Sequence, residues 1–475
     1  MTAPFVVVGG DAAGMSGASK FRRAAPDREV VVFEQGEWVS YGACGLPYYI
    51  KGEVETLEEL VSVTAEEFVE ERGIDLRTSH EVTAIDPDRQ SVTVVGPDGE
   101  FEQPYSDLLI ATGADAVEPP LDGMGLDGVF TLHNMDEAGA LRRYIGGETP
   151  AANPQAQGYG GIADEYAAAE EPDAVAIIGG GYVGIEMAEA FSAHGFEVHL
   201  FEMVPHTLQP FGAEAASVVE DHLREQGVRL HLDTPVDALL GDDSVESVAS
   251  GDTAVPVDLA LVGVGVAPET ALATQAGIET GPTGAIATDE YGRTNDDHVY
   301  AAGDCAESTH VVTGDADHVP LALTANRAGR AVGQTVAGEP TPVGETAGTA
   351  ALKAFDLAVA RTGLLDEERA REAGFDPVSS TITTQSRAHY YPGGAEIQVT
   401  MVGDRESGRL LGASMVGREG VPKRIDTVAA ALHAELTAQQ LSYLDLAYAP
   451  PFSPVWDPVL TAAKVLDGKI DSPER

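Results

Sequence analysis

Residues 175–184 read Val175-Ala176-Ile177-Ile178-Gly179-Gly180-Gly181-Tyr182-Val183-Gly184. A short apolar run with strand character enters a glycine turn, and Gly179, Gly181 and Gly184 meet the pattern G-x-G-x-x-G. The spacing predicts a helix over 185–194 and a second strand at Val198-His199-Leu200-Phe201, ending at Glu202, 23 positions after Gly179. Together these make a βαβ unit suited to a dinucleotide. The glycines let the backbone approach a pyrophosphate, the helix N-terminus supplies oriented amides, and the acid accepts hydrogen bonds from a ribose. Tyr182 and Val183 complete the candidate loop.

The N-terminus repeats the arrangement. Phe5-Val6-Val7-Val8 leads into Gly9-Gly10-Asp11-Ala12-Ala13-Gly14, then a helical stretch to Arg23. The next strand, Val30-Val31-Val32-Phe33, ends at Glu34, 25 positions after Gly9. Here Asp11 replaces the middle glycine. Two fingerprints imply two dinucleotides, one bound permanently and one exchanged. Two further strands end in small turns: Leu108-Leu109-Ile110-Ala111-Thr112-Gly113 and Val299-Tyr300-Ala301-Ala302-Gly303-Asp304. Ligands of open α/β sheets lie beyond the carboxyl ends of strands, so Asp304 is placed to hold polyol hydroxyls. An aspartate there also suits a helix N-cap.

The 475 residues carry 28 basic and 77 acidic side chains, a formal charge of −49. Single cores stop growing beyond roughly 250–300 residues, so the length suggests two to four domains. With 43% hydrophobic residues the interior is ordinary, and the charge belongs to the surface. Such a surface excludes nucleic acid, which needs a basic footprint, and disfavours anionic membranes. Only Lys20, Lys51, Lys353, Lys423, Lys464 and Lys469 are lysines. Molar salt shortens the Debye length to roughly 3 Å and relieves the self-repulsion. A halophilic, cytoplasmic protein of a salt-accumulating cell is expected, one that melts higher in molar KCl; an acidic protein of an ordinary cell is the other reading. No run reaches the roughly 18 apolar residues of a membrane span. The two cysteines make no disulfide framework, which suits a reducing compartment. None of the 12 histidines joins a cluster at metal-ligand spacing, so no metal is expected.

With these four segments in this order, the chain resembles the FAD- and pyridine-nucleotide-dependent disulfide oxidoreductase family over nearly its whole length. The resemblance implies an α/β fold with two Rossmann-like dinucleotide-binding domains, the FAD domain interrupted by an NAD(P)H domain, plus a C-terminal α+β dimerisation domain. It places the FAD domain at 1–117 and 255–340, the NAD(P)H domain at 118–254 and the dimerisation domain at 341–475. The Gly/Ala/acid-rich stretch 146–173 reads as a surface insertion. The resemblance assigns tightly bound FAD to Gly9, Gly10, Asp11, Ala12, Ala13, Gly14, Glu34, Thr112, Gly113, Gly303 and Asp304. The nicotinamide cofactor falls to Gly179, Gly181, Tyr182, Val183, Gly184 and Glu202. A carboxylate at 202 favours the 2′-hydroxyl and repels a 2′-phosphate, and Met203-Val204-Pro205 adds no arginine, so NADH is expected over NADPH.

The branch shows in Ser40-Tyr41-Gly42-Ala43-Cys44-Gly45-Leu46-Pro47-Tyr48-Tyr49. Disulfide reductases with C-x-x-x-x-C carry a second cysteine where this chain has Tyr49. Only a one-cysteine mechanism is open, with Cys44 alternating between a thiolate and a mixed disulfide, sulfenate or persulfide. That pattern is similar to the coenzyme A disulfide reductases, the persulfide reductases and the NADH oxidases. His389-Tyr390-Tyr391-Pro392-Gly393 and Leu446-Ala447-Tyr448-Ala449-Pro450-Pro451-Phe452 are similar to segments of the coenzyme A enzymes. By that resemblance Tyr390 and Tyr448 reach the active cysteine of a homodimer partner. It also offers Arg22, Arg23, Ser40, Lys423 and Arg424 as the substrate's contacts. Ala43 stands where the coenzyme A branch often has Asn. Asp11 stands where the oxidases typically carry His, which argues against efficient oxygen reduction.

The expected reaction is reduction of coenzyme A disulfide, or a related small disulfide or persulfide, by NADH. The alternatives are an NADH oxidase working through a Cys44 sulfenate, and a flavoprotein redox sensor or electron-transfer component. Pro47 suits a first helical turn. The helix dipole is expected to lower the Cys44 pKa and so supply the thiolate. Cys305 is read as a small packing residue.

Overall fold

The computed structural model describes residues 3–146 and 172–471. The expected insertion at 146–173 therefore lies, apart from its flanks, outside the described residues. Three five-stranded sheets organise the chain. In the first, strands run in the order Val299–Ala301, Asp107–Ile110, Phe5–Val8, Val30–Phe33, Asp75–Arg77, all parallel. Phe5–Val8 is buried along its full length, as a central parallel strand covered on both faces must be. Helices Ala12–Ala24 and Ala322–Val336 pack together on one face. The antiparallel strands Glu81–Asp86, Ser91–Gly96 and Gly99–Pro104 cover the other, with Val92 and Val94 in the same core as Val6 and Leu108.

The second sheet repeats the design with the order Arg229–His231, Glu197–Phe201, Ala174–Ile178, Leu259–Val262, Val129–Phe130, again all parallel. Its fourth strand, Leu259–Val262, lies beyond Val255, so this sheet runs past the boundary read from the sequence. The return to the first unit follows at once, through an antiparallel ribbon of Ala114–Ala116 and Val266–Pro268.

The third sheet is antiparallel, in the order Ala350–Ala354, Leu357–Gly363, Leu410–Gly417, Glu396–Asp404, Pro377–Gln385. All eight residues of its central strand Leu410–Gly417 are buried. Helices Val421–His433 and Pro458–Ile470 close a core around Val399, Met401, Ile425, Val428 and Leu466. Among the described residues no helix is long and apolar enough to cross a membrane.

Candidate functional site

Both glycine loops are wired alike. Gly9 and Gly179 have φ of +107° and +109°, a region where only glycine rests without strain. A Cβ on Gly14 would strike the carbonyl oxygen of Gly9, and one on Gly184 the carbonyl oxygen of Gly179. Each turn is therefore closed by the helix that follows it. Glu34 accepts from the Gly10 amide at 2.7 Å and the Gly36 amide at 2.7 Å. Glu202 does the same for Gly180 at 2.8 Å and Val204 at 3.2 Å. The Gly10 carbonyl accepts from the Ser40 amide at 3.0 Å, the Gly180 carbonyl from the Leu208 amide at 2.8 Å. Ser40 and Leu208 both sit at positive φ, +50° and +47°.

The loops part at their middle position. A Cβ added to Gly181 meets nothing, so the second loop faces open space. Asp11 occupies that place in the first loop and its carboxylate accepts from the Tyr41 amide at 3.0 Å. This bond, with Ser40 on Gly10, stitches the first loop to the segment that carries Cys44. Tyr182 packs edge-on against Phe211, with ring centroids 5.3 Å apart. Val183 stands beside it in the first turn of the helix Tyr182–Ala193.

Three carboxyl groups gather around the first loop. Burial, with Glu34 and Asp304 nearby, pushes the Asp11 carboxyl up to about 6. Burial also raises Glu34 and Asp304. Asp304 follows Gly303, at φ +92°, and its Oδ1 is buried with no hydrogen-bond partner. A buried, unpaired acceptor is costly unless a donor reaches it. The hydroxyls of a ribityl chain and an adenosine ribose are such donors, and the helix start at Ala12-Ala13 suits a pyrophosphate. The residues present therefore fit FAD. The Thr112 hydroxyl donates to the Glu269 carbonyl at 2.8 Å and the Gly113 carbonyl accepts from the Glu269 amide, so this pair anchors the crossing ribbon.

Cys44 lies in a 3₁₀ turn, Ala43–Gly45, just before the six-residue helix Leu46–Lys51. It is exposed, whereas Cys305 is fully buried. The expected lowering of its pKa is reversed. Partial burial and the charges of Glu186, Asp304 and Asp11 raise the thiol above its ordinary value. A helix of under two turns has too small a dipole to outweigh acids converging from three separate segments.

Tyr390 and Tyr448 meet, their hydroxyls 2.9 Å apart, on an exposed face of the third domain. Neither hydrogen-bonds Cys44 within the chain. Arg424, expected at the substrate, is instead enclosed beneath this pair: it donates to Asp457 at 2.9 Å and to the carbonyls of Ser386 at 3.0 Å and Phe452 at 3.1 Å. It holds the two tyrosine-bearing loops together. Lys423 is exposed and pairs with Asp426 at 3.1 Å. Arg22 folds onto the carbonyls of Pro26 and Arg28 in the turn that follows its helix, while Arg23 is exposed. Among the described residues no metal-holding group of three His, Cys, Asp or Glu occurs.

Sequence reasoning missed a cluster opposite Cys44. The Tyr48 hydroxyl donates to Glu186 at 3.0 Å, and Lys51 pairs with Glu189 at 2.7 Å. Lys353 reaches the same Glu189 oxygen at 2.5 Å, and the Phe355 amide donates to its other oxygen at 2.8 Å. Glu189 is only 6% exposed. Two of the six lysines of a strongly acidic chain converge on this one carboxylate from 138 and 164 positions away, so no local pattern in the sequence marks it.

Residues 3–329 match the family model described as pyridine nucleotide-disulphide oxidoreductase, and residues 349–458 match the dimerisation domain of that family. A NAD(P)H coenzyme A polysulfide/persulfide reductase of Pyrococcus horikoshii is 39% identical over 462 residues, covering 97% of this chain and 98% of its own. An NADH oxidase of Methanocaldococcus jannaschii is 32% identical, with 97% of each chain covered. The solved NAD-dependent persulfide reductase of A. fulgidus superposes with a TM-score of 0.90 at 37% identity, covering 98% of this chain and 83% of that one.

Proposed function

Because the chain belongs to the pyridine nucleotide-disulphide oxidoreductase family and is an FAD-dependent NAD(P)H oxidoreductase, we propose that it reduces coenzyme A disulfide, or a related small disulfide or persulfide, through Cys44 alone. One observation carries this reading: the only cysteine besides Cys44 is fully buried, so no second thiol stands ready to resolve an intermediate. The P. horikoshii relative, whose name includes coenzyme A and persulfide, supports the substrate class.

FAD, held at the first loop, would supply the chemistry that carries an electron pair from the nicotinamide to sulfur. The chain's residues do the rest. Asp304 and Glu34 would hold sugar hydroxyls, and the amides of 10–14 would hold pyrophosphate, a set of contacts that suits a tightly bound FAD. Glu202, with no cation at 203–205, selects NADH. The Cys44 thiolate attacks one sulfur of the disulfide; the sulfur–sulfur bond breaks, a mixed disulfide forms and one thiolate leaves. Tyr390 and Tyr448, presented to a second copy across a homodimer, give that thiolate its proton. Two electrons and one proton then release the second thiol and restore Cys44. The charge of −49 and the paucity of cysteine support a cytoplasm rich in salt.

The test follows NADH oxidation with coenzyme A disulfide, with a persulfide and with oxygen alone, each repeated with Cys44→Ser. Disulfide- or persulfide-dependent turnover is expected to fall at least about 1,000-fold in the variant. Full turnover by the serine variant sinks the one-cysteine mechanism. The likeness to the M. jannaschii NADH oxidase favours oxygen as a second acceptor through a Cys44 sulfenate, which the oxygen arm reads directly.

A further inference from the structure

Helix Leu46–Lys51 packs against helix Tyr182–Ala193, so the segment after Cys44 lies on the first turns of the second dinucleotide unit. The two helices meet as matched pairs: Tyr48 and Lys51 on one, Glu186 and Glu189 on the other. The pairs differ in charge. Glu189 is compensated twice over by Lys51 and Lys353. Glu186 receives a hydrogen bond from a neutral phenol, feels Lys353 weakly and is repelled by Glu189. We propose that Glu186, held by the Tyr48 hydroxyl across the domain boundary, is a positioning residue that sets when the Cys44 sulfur ionises.

Burial, reinforced by the Glu189 charge, pushes the Glu186 carboxyl up to about 7, while Tyr48 and Lys353 pull it down. Glu186 thus changes charge in the neutral range. Tyr48 is held protonated by burial and by the charges of Glu186, Glu189 and Glu53, so it acts as a donor. Cys44 sits four residues before Tyr48, and among the carboxylates that raise its thiol Glu186 acts more strongly than Asp304 or Asp11. Two negative charges at this site repel. Charge on Glu186 therefore disfavours charge on Cys44. The thiolate forms more readily when Glu186 carries a proton than when it is ionised. Because Glu186 lies on the helix that follows the second fingerprint, events at the nicotinamide site and at the sulfur are linked by charge.

This rests on Cys44 being the reacting sulfur, and the two ideas can fail separately. Cys44→Ser turnover tests the first; alkylation of Cys44 tests the second. The reduced holoenzyme is treated with iodoacetamide from pH 6 to 10, and modification of Cys44 is followed by mass spectrometry. Wild-type protein should show a broad profile spread over two coupled titrations. Glu186→Gln should sharpen it to one and speed alkylation at pH 7.5 about three- to tenfold. Tyr48→Phe removes the donor that favours the ionised carboxylate, so it should raise the rate at pH 7 about twofold and leave pH 9 unchanged. Retained flavin absorbance confirms folding. A Glu186→Gln profile that superimposes on wild type overturns the proposal. Should that variant fail to fold, a Tyr48→Phe profile identical to wild type does the same.

Discussion

The two dinucleotide loops share a backbone turn, an acid hydrogen-bonded to a loop amide and a carbonyl-to-amide clasp, yet they part at the middle position. Gly181 looks out on open space; Asp11 binds the backbone of Tyr41. The first loop is thereby fastened to the Cys44 segment and crowded by Glu34 and Asp304. The second keeps its middle position clear. A loop fastened to the Cys44 segment suits a ligand that stays, and a loop left open suits one that exchanges.

The largest effect should come from filling the close approaches. Gly14→Val drives a side chain into the Gly9 carbonyl and should yield protein without flavin absorbance. Gly184→Val makes the matching collision in the second unit. It should keep flavin while weakening NADH binding at least about 100-fold, roughly 2.7 kcal/mol. Equal loss of flavin in both variants would break the division of labour. A smaller change is expected from Glu202→Ala combined with Met203→Arg. Trading the ribose acceptor for a guanidinium should raise the NADPH-to-NADH ratio of kcat/KM by about tenfold or more. An unchanged ratio would remove Glu202 from cofactor choice.

The smallest effect concerns Asp11 itself. Its carboxyl is raised in the folded chain from 3.8 to about 6, so the folded state binds the proton more tightly than the unfolded one. Its contribution is favourable below pH 4 and is lost as pH rises to 6. In flavin-free protein, Asp11→Asn should therefore flatten the fall in stability between pH 4 and 6 by about 2 kcal/mol, read from urea midpoints. A variant whose pH dependence matches wild type would show that burial does not raise the Asp11 carboxyl.

What the sequence disclosed was local. The glycine spacing, Glu34, Glu202 and the isolated cysteine all lie within short windows, and the structure builds two parallel sheets around the fingerprints. What it hid depends on distant partners. Arg424 reads as a free cation until Asp457 and the carbonyls of Ser386 and Phe452 close around it. The rise of the Cys44 thiol comes from burial and then from Glu186 and Asp304, all of which the fold supplies from far along the chain. Glu186 lies two residues past the last glycine of its fingerprint, but its neighbour Tyr48 is 138 positions away. Leu259–Val262 is an apolar run with nothing in its composition to say which sheet it joins.

The Lys51–Glu189–Lys353 knot has a mechanical consequence. One lysine comes from the first dinucleotide unit and the other from the third sheet, so a single carboxylate rivets the inserted unit to both neighbours. Swinging that unit as a rigid body would strip both cations from a buried anion, at a cost of roughly 3–5 kcal/mol. The inserted unit is thus a fixed wall instead of a hinged door.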